Sequence, residues 1–381
     1  MTGLCSLGLS YSSALSCLRH NRQLAHKPQS SLVRRFSKGL TGLICLLVLL
    51  SLCGCAERTF KKSALLLGTE VEITVFAKNP KKARRVIDLA LEKIRAEERN
   101  LSYFSAESEL SKINKQAGKG WVKVSPELLS LIKTSLCYSQ LTDGAFNIAI
   151  SPLESLYRCA KRENRVPSQK EKRKAISLCN YKKIAINEKR KMVRLSQKEM
   201  ALDLGGIAKG YIVDETVKLL QKEGIKNGMV NAGGDLKVFG EKSYRIAIRN
   251  PFKVGVGVIR PETTDLINQA PTMSKTPLAQ NDNGMVFKVI KVENKAVCTS
   301  GGYERPGHIL NSETGEPAAA GLPSDMLCSV TIIASTATAA DALATAIIVM
   351  GREKGERLLK RLGLSYFLID PKGNITTNMS F

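Results

Sequence analysis

The chain has 381 residues, is 43% hydrophobic and carries a formal charge of +24, which suffices for one large domain or two ordinary ones with a sizeable core. Beyond Cys55 its cysteines (Cys137, Cys159, Cys179, Cys298 and Cys328) form no C-x-x-C pair, which argues against zinc ribbons and thioredoxin-like redox chemistry. His308 is the only histidine after His26. That excludes H-E-x-x-H and multi-histidine metal sites, so any metal must be held mainly by oxygen, which favours Mg²⁺ or Ca²⁺.

In chain order, the first feature is the apolar run at residues 39–53, behind Arg34, Arg35 and Lys38. A bilayer-spanning helix needs about 20 apolar residues; this shorter run behind a basic flank fits the apolar region of a secretory signal. It ends in Leu52-Cys53-Gly54-Cys55, which resembles a bacterial lipobox with Cys55 as the lipidated first residue. The expected organisation is a leader over 1–54, a lipid-anchored tether over 55–61 and a folded domain over 62–381. The signal is complete from Val33, so the natural start is expected near there. Loss of the leader's six Lys and Arg lowers the charge from +24 to +18. The remaining excess clusters between Arg158 and Arg194 with Tyr181 as the one interleaved aromatic. This reads as a solvated face near an anionic membrane surface rather than as a nucleic-acid patch, and no nucleic-acid partner is expected.

Within the domain, alternation over Ala64 to Ala77 predicts a strand. Lys82 to Leu101 predicts an amphipathic helix, Pro126 to Leu141 a second and Pro152 to Ala160 a third. Strand and helix signals then alternate to the end, which predicts a mixed α/β (α+β) domain. The stretch from Phe252 to Asn283, rich in Pro, Thr, Asn and Gln, reads as a loop insertion near 253–284 inside that domain.

Four segments carry chemistry. Leu202-Asp203-Leu204-Gly205-Gly206-Ile207-Ala208-Lys209-Gly210-Tyr211 reads as an apolar strand, a paired-glycine turn and a helix start, where backbone amides favour an anion. Lys209 opposes the helix dipole there, which makes sense if an anionic group lies beside it. A second pair, Asn231-Ala232-Gly233-Gly234-Asp235, falls one βαβ unit later or forms a bulge or hairpin turn with Asp235 as turn former. Asp341 and Thr345 are four apart on an otherwise apolar helix, hence on one face. A carboxylate there is costly unless paired or bound to a cation, and with a hydroxyl and a backbone carbonyl it suits Mg²⁺. The competing reading puts Asp341 in the first turn and bonds Thr345 back to its own helix. His308 follows Cys298-Thr299-Ser300-Gly301-Gly302-Tyr303; it is either a general base or a hydrogen-bonded loop residue.

Together, Asp203 to Tyr211, Asn231 to Asp235, Thr299 to Tyr303, His308 to Gly315 and Ala340 to Gly351 resemble, in order, the FAD:protein FMN transferase family (ApbE-type lipoproteins). Weaker matches lie at Leu67-Gly68-Thr69, Leu101 to Asn114 and Gly144 to Pro152. The resemblance implies a single domain of two intimately packed sub-regions. It implies Mg²⁺ on the Gly206 carbonyl, Asp341 and Thr345. It implies FAD, as substrate, against Leu67, Phe104, Ala145, Phe146, Asn147, Asp203, Lys209 and Leu310. Phe104 stands where Tyr is common, with Tyr103 as a neighbouring phenol; Leu67 stands where Met is common, and Asn147 and Asn311 where Asp is common. The implied reaction is Mg²⁺-dependent transfer of FMN from FAD to a Thr or Ser hydroxyl of an acceptor flavoprotein, with release of AMP. Lys209 would meet phosphate charge and His308 is the candidate base. Implied acceptors are subunits of membrane redox complexes such as the sodium-pumping NADH:quinone reductase. The implied location is the periplasmic side of the inner membrane, on a lipid anchor. The alternatives are a Mg²⁺-dependent FAD pyrophosphatase and a non-catalytic flavin-binding lipoprotein.

Overall fold

The computed structural model describes residues 56–252, 286–302, 307–318 and 325–380. The leader, Cys55 and the insertion at 253–284 (save what its flanks show) lie outside these residues. The expected strand at Ala64 to Ala77 is two strands: β1 (Arg58–Leu66) and β2 (Thr69–Ala77) pair antiparallel, with Leu66 opposite Thr69. The two-residue turn between them holds Leu67 at φ 57° and Gly68 at φ 69°. Positive φ at both positions matches the twist of a tight hairpin, and the cost of placing leucine there hid the turn from the sequence pattern.

The helices follow as α1 (Pro80–Leu101), α2 (Glu109–Lys115), α3 (Pro126–Leu141), α4 (Ser151–Arg162) and α5 (Gln169–Leu178). Their starts are written in sequence: Asn79, Ser108, Ser125 and Ser168 each accept a backbone N–H of the first turn, satisfying donors that the helix leaves open. Between and after them lie β3 (Val122–Lys123), β4 (Ile184–Asn187) and β5 (Met192–Leu195), a small sheet in the order β3-β5-β4.

Next come α6 (Ala208–Lys222), β6 (Asn227–Ala232), β7 (Asp235–Phe239), β8 (Ser243–Arg249), β9 (Val286–Glu293), β10 (Ala296–Gly301) and β11 (Ser329–Ala334). The chain closes with α7 (Ala337–Met350), α8 (Arg352–Arg361), β12 (Ser365–Ile369) and β13 (Ile375–Thr377). The main sheet runs β1-β2-β6-β7-β10-β11-β12-β13 and every pairing in it is antiparallel. The fold is therefore α+β, and the two glycine pairs are not separated by a βαβ unit. The segment before Gly205 is extended but is no strand. Asn114 brackets Leu202 through both its amide atoms (3.0 and 2.7 Å), and Asp203 N donates to Ile148 O at 2.8 Å. A side chain and a loop carbonyl take the place of a strand partner.

Alternation along the sheet divides its side chains between two apolar layers. Val71, Ile73, Val75, Val230, Val330 and Ile332 join the helices in the larger core. Phe76, Met229, Leu236, Val238 and Ile333 pack instead against Tyr244, Ile246, Ile290 and Val292 of the β8–β9 hairpin. Because β8 and β9 pair with each other, residues 250–285 connect two strands of one hairpin. Among the described residues no helix is long and apolar enough to cross a membrane, and the five described cysteines are free thiols.

Helices α6 and α7 cross at unusually short range. A Cβ on Gly210 would lie 2.3 Å from Ala337 O and 2.8 Å from Asp341 Cβ. Only glycine permits that approach. Gly210→Ala should cost roughly 1–3 kcal/mol by overpacking, read as a lower urea midpoint at unchanged m-value.

Candidate active site

At one end of the main sheet the hairpin tips, the start of α6, one face of α7 and the segments 145–150 and 308–310 enclose a cavity of about 380 Å³. That is within the usual range for small-molecule sites. Gly233 nests against the β1–β2 tip: its φ is +66° and a Cβ would lie 2.3 Å from Thr69 Oγ1, while its N–H donates to Glu70 O at 3.1 Å. The second glycine pair is therefore the tight turn between β6 and β7.

Most residues singled out from sequence line this cavity: Leu67, Ala145, Phe146, Asn147, Asp203, Gly206, Lys209, His308, Leu310, Asp341 and Thr345. Phe104 does not. It is 81% exposed, edge-on to Tyr103 and beneath the Arg158 guanidinium. The Tyr103 phenol does not replace it in the cavity wall, because it bonds Ser155 Oγ on α4 at 3.1 Å. Asn147 is present but its side chain is committed elsewhere. Its amide nitrogen donates to Cys179 O at 2.8 Å and to Ser312 Oγ at 3.1 Å, and Oδ1 accepts from Ala149 N at 2.9 Å. It thereby ties the 145–150 wall to the loop bearing Leu310. That loop is fixed again by Tyr157, which donates to Gly315 O at 2.9 Å, and by buried Lys172, which pairs with Glu316 at 2.6 Å. Lys172 is thus a buried member of the basic stretch with a packing role.

Helix α7 begins at Ala337, so Asp341 lies beyond its first turn. Asp341 Oδ2 accepts from Gly210 N at 2.9 Å, a bond that the Gly210 crossing makes possible. Burial, and then the charge of Asp235, push its carboxyl above the usual range, while Lys209 and the Gly210 amide pull it back. Thr345 Oγ1 meets Ser300 Oγ across the cavity wall at 3.3 Å. A Cβ on Gly206 would lie 3.2 Å from that Thr345 oxygen and 3.3 Å from the Phe146 ring, so backbone and hydroxyl meet in the wall that Asp341 also lines. One buried carboxylate with two neutral oxygens fits a hard cation completed by phosphate oxygens. Among the described residues no group of three His, Cys, Asp or Glu offers a rival metal site.

The anion beside Lys209 is Asp235. The two pair directly, and Asp235 Oδ1 also accepts from Thr299 N at 3.3 Å. Burial alone would lower the Lys209 pKa, but Asp235 and Asp341 outweigh it and raise it, so the ammonium is retained. Cys298 lies close by, fully buried. Burial and the neighbouring carboxylates push its thiol far up, and it donates to Ala337 O, so it is a packing residue and not a nucleophile.

Sequence reasoning missed three acidic groups. Asp235 was legible only as a turn former. Glu154, in the first turn of α4, has the look of an ordinary dipole partner, yet it lines the cavity. Asp214 lies on α6 and caps α7 from outside: its carboxylate accepts from Ala337 N, Thr338 N and Thr338 Oγ1 at 3.0, 2.8 and 2.6 Å, and from Lys237 Nζ at 3.0 Å. No local motif announces a cap supplied from another helix.

An antiparallel α+β domain whose hairpin tips, glycine turns and helix N-terminus enclose a pocket lined by carboxylates and an ammonium has the character of a small-molecule enzyme site. The comparisons narrow it. The ApbE family model matches residues 67–368. The FAD:protein FMN transferase of Treponema pallidum is 30% identical over 86% of this chain and 90% of its own length, and that of Klebsiella pneumoniae 29% over 80% and 87%. Among solved structures, the ApbE protein of Thermotoga maritima superposes with a TM-score of 0.69 at 30% identity, over 84% of this chain and 97% of that one. The flavin transferase ApbE of Vibrio cholerae shares the fold, with a TM-score of 0.69 at 23% identity. The chain belongs to the ApbE family, and with it to the transferases.

The cap gives a stability test. Asp214→Ala leaves Lys237 and the α7 amides without their acceptor, and should cost about 3 kcal/mol by chemical denaturation.

Proposed function

We propose that this chain is a lipid-anchored periplasmic enzyme that moves FMN from FAD onto a Thr or Ser hydroxyl of an acceptor flavoprotein. Membership of the ApbE family supports flavin transfer. The observation that carries the metal dependence is the convergence of Asp341, Thr345 and Gly206 beside Lys209 in one cavity. These residues would hold Mg²⁺, which when bound supplies charge neutralisation at the pyrophosphate.

The residues of the chain account for the remaining steps. The Lys209 ammonium, in the cavity wall, meets the developing phosphate charge in a partly enclosed site, where fixed charges act strongly. Leu67, Ala145, Phe146 and Leu310 supply apolar wall for the dinucleotide. The acceptor hydroxyl attacks the FMN-side phosphorus, a new P–O bond forms, the pyrophosphate P–O bond breaks and AMP departs with the electron pair. His308, at the cavity edge, takes the hydroxyl proton as general base. The acceptors would be membrane redox subunits such as those of the sodium-pumping NADH:quinone reductase, met at the membrane surface on the Cys55 anchor.

Incubation with FAD and Mg²⁺, with and without acceptor, tests the reading. Covalent flavin on the acceptor supports transfer; FMN plus AMP without acceptor means hydrolysis, and intact FAD means binding alone. Asp341→Asn keeps the Gly210 hydrogen bond but removes the charge. It should abolish Mg²⁺-dependent transfer and the rise in melting temperature expected of the wild type with Mg²⁺, and an unchanged response would remove Asp341 from the metal set. For His308→Ala, transfer at saturating FAD and acceptor should fall by about 10²-fold or more. A full rate would assign the proton to another group.

A further inference from the structure

Glu154 is an acidic residue of the cavity wall that the proposed reaction does not use. It projects from the first turn of α4, between Leu153, which is fully buried, and Ser155, which holds the Tyr103 phenol. Its Oε2 is shielded from water and meets no hydrogen-bond donor. Its neighbour is the carboxylate of Asp203, whose Oδ1 already accepts from Gly205 N at 2.6 Å. Burial, and then the neighbouring Asp203 charge, push the Glu154 carboxyl up to about 8, which favours its neutral acid form.

We propose that Glu154, whose unpartnered Oε2 lies in the cavity wall, is a specificity-determining residue that reads the hydrogen-bonding edge of a heteroaromatic ring of the dinucleotide. The assignment rests on the flavin-transfer reading above. A carboxylic acid beside a carboxylate offers one O–H donor and adjacent acceptors. That pattern complements a ring edge on which an N–H donor adjoins an acceptor. Both ends of FAD carry such an edge, the aminopurine and the pyrimidine-like part of the flavin, so the chemistry is shared and the ring is settled by experiment. A site built this way also rejects ligands without the edge, because the acid would then stay buried without a partner.

The surrounding charges agree with a neutral acid. Burial raises the Glu154 pKa first and the Asp203 charge raises it further, while Arg158, one turn along α4, opposes them only in part. On the other side lies the Cys179 thiol, pushed up to about 12 by burial and hence uncharged. Asp203, Arg158 and Cys179 are the titratable groups that bear on Glu154 in the described residues. Affinity that needs the proton is present below the raised pKa and is lost as pH rises through it.

The test uses the full chain with Mg²⁺ and three probes, FAD, FMN and ADP, titrated by calorimetry into wild type, Glu154→Gln and Glu154→Leu. Glutamine keeps a donor and an acceptor at this position, so Glu154→Gln should bind FAD within about threefold of wild type. Glu154→Leu should bind FAD at least about tenfold more weakly and lose a similar factor for only one half-ligand: ADP if the purine edge is read, FMN if the flavin edge is. Wild-type affinity for FAD should fall between about pH 7 and pH 9, while that of Glu154→Gln stays flat. If Glu154→Leu matches wild type, or weakens FMN and ADP alike, the assignment is wrong although the flavin-transfer reading survives. A wild type that binds no FAD overturns both.

Discussion

The close crossing of α6 over α7 at Gly210 is the constraint on which the rest of the site depends. With no side chain between the helices, the Gly210 amide reaches Asp341 at 2.9 Å and Lys209 projects toward the same cavity. Asp214, one turn further along α6, then caps the start of α7 through three donors. The two contacts fix the relative position of the helices at two points, so Asp341 and Thr345 keep one register relative to the glycine turn at Gly205 and Gly206. A buried carboxylate in an apolar helix is costly. Here the cost is offset by an amide, by the nearby ammonium and, in the proposed function, by a cation.

The sheet contributes differently. Its antiparallel order brings hairpin tips, rather than strand-to-helix crossovers, to the edge of the site. The β1–β2 and β6–β7 turns touch through Thr69 and Gly233, and Asp235, the first residue after the second turn, becomes the counter-ion of Lys209. The helices α4 and α5 then hold the 307–318 loop by the Tyr157 and Lys172 contacts. Each wall of the cavity is thus anchored to a different part of the fold, which is how a site built largely from turns is kept in shape.

Much of the candidate site was legible because its signals are local. The spacing of Asp341 and Thr345, the glycine pairs and the lone His308 are short patterns, and their order along the chain carried the family resemblance. The helices at 80–101 and 126–141 were equally plain, since an amphipathic face and a proline at the start are local features. What was not legible required distance in sequence to close in space. The β1–β2 turn hides because leucine rarely adopts positive φ. The segment at 202–204 mimics a strand because Asn114, 88 residues away, supplies its hydrogen bonds. Phe104 has the motif position of a cavity residue, but the packing of Tyr103 and Arg158 leaves it facing solvent.

By itself the sequence determined the chemical inventory: no C-x-x-C pair and one imidazole after His26, hence oxygen as the donor to expect for any metal, and paired glycines at two turns. Composition and spacing suffice for that, because they depend only on which atoms are available. Only the tertiary structure decided which groups are partners. Asp235 with Lys209, Asp214 with α7 and Glu154 with Asp203 are separated by 26, more than 120 and 49 positions. The electrostatic character of each depends on burial and on a neighbour that the chain brings in from elsewhere. Proton affinity and charge pairing belong to the folded arrangement, and no local pattern of residues specifies them.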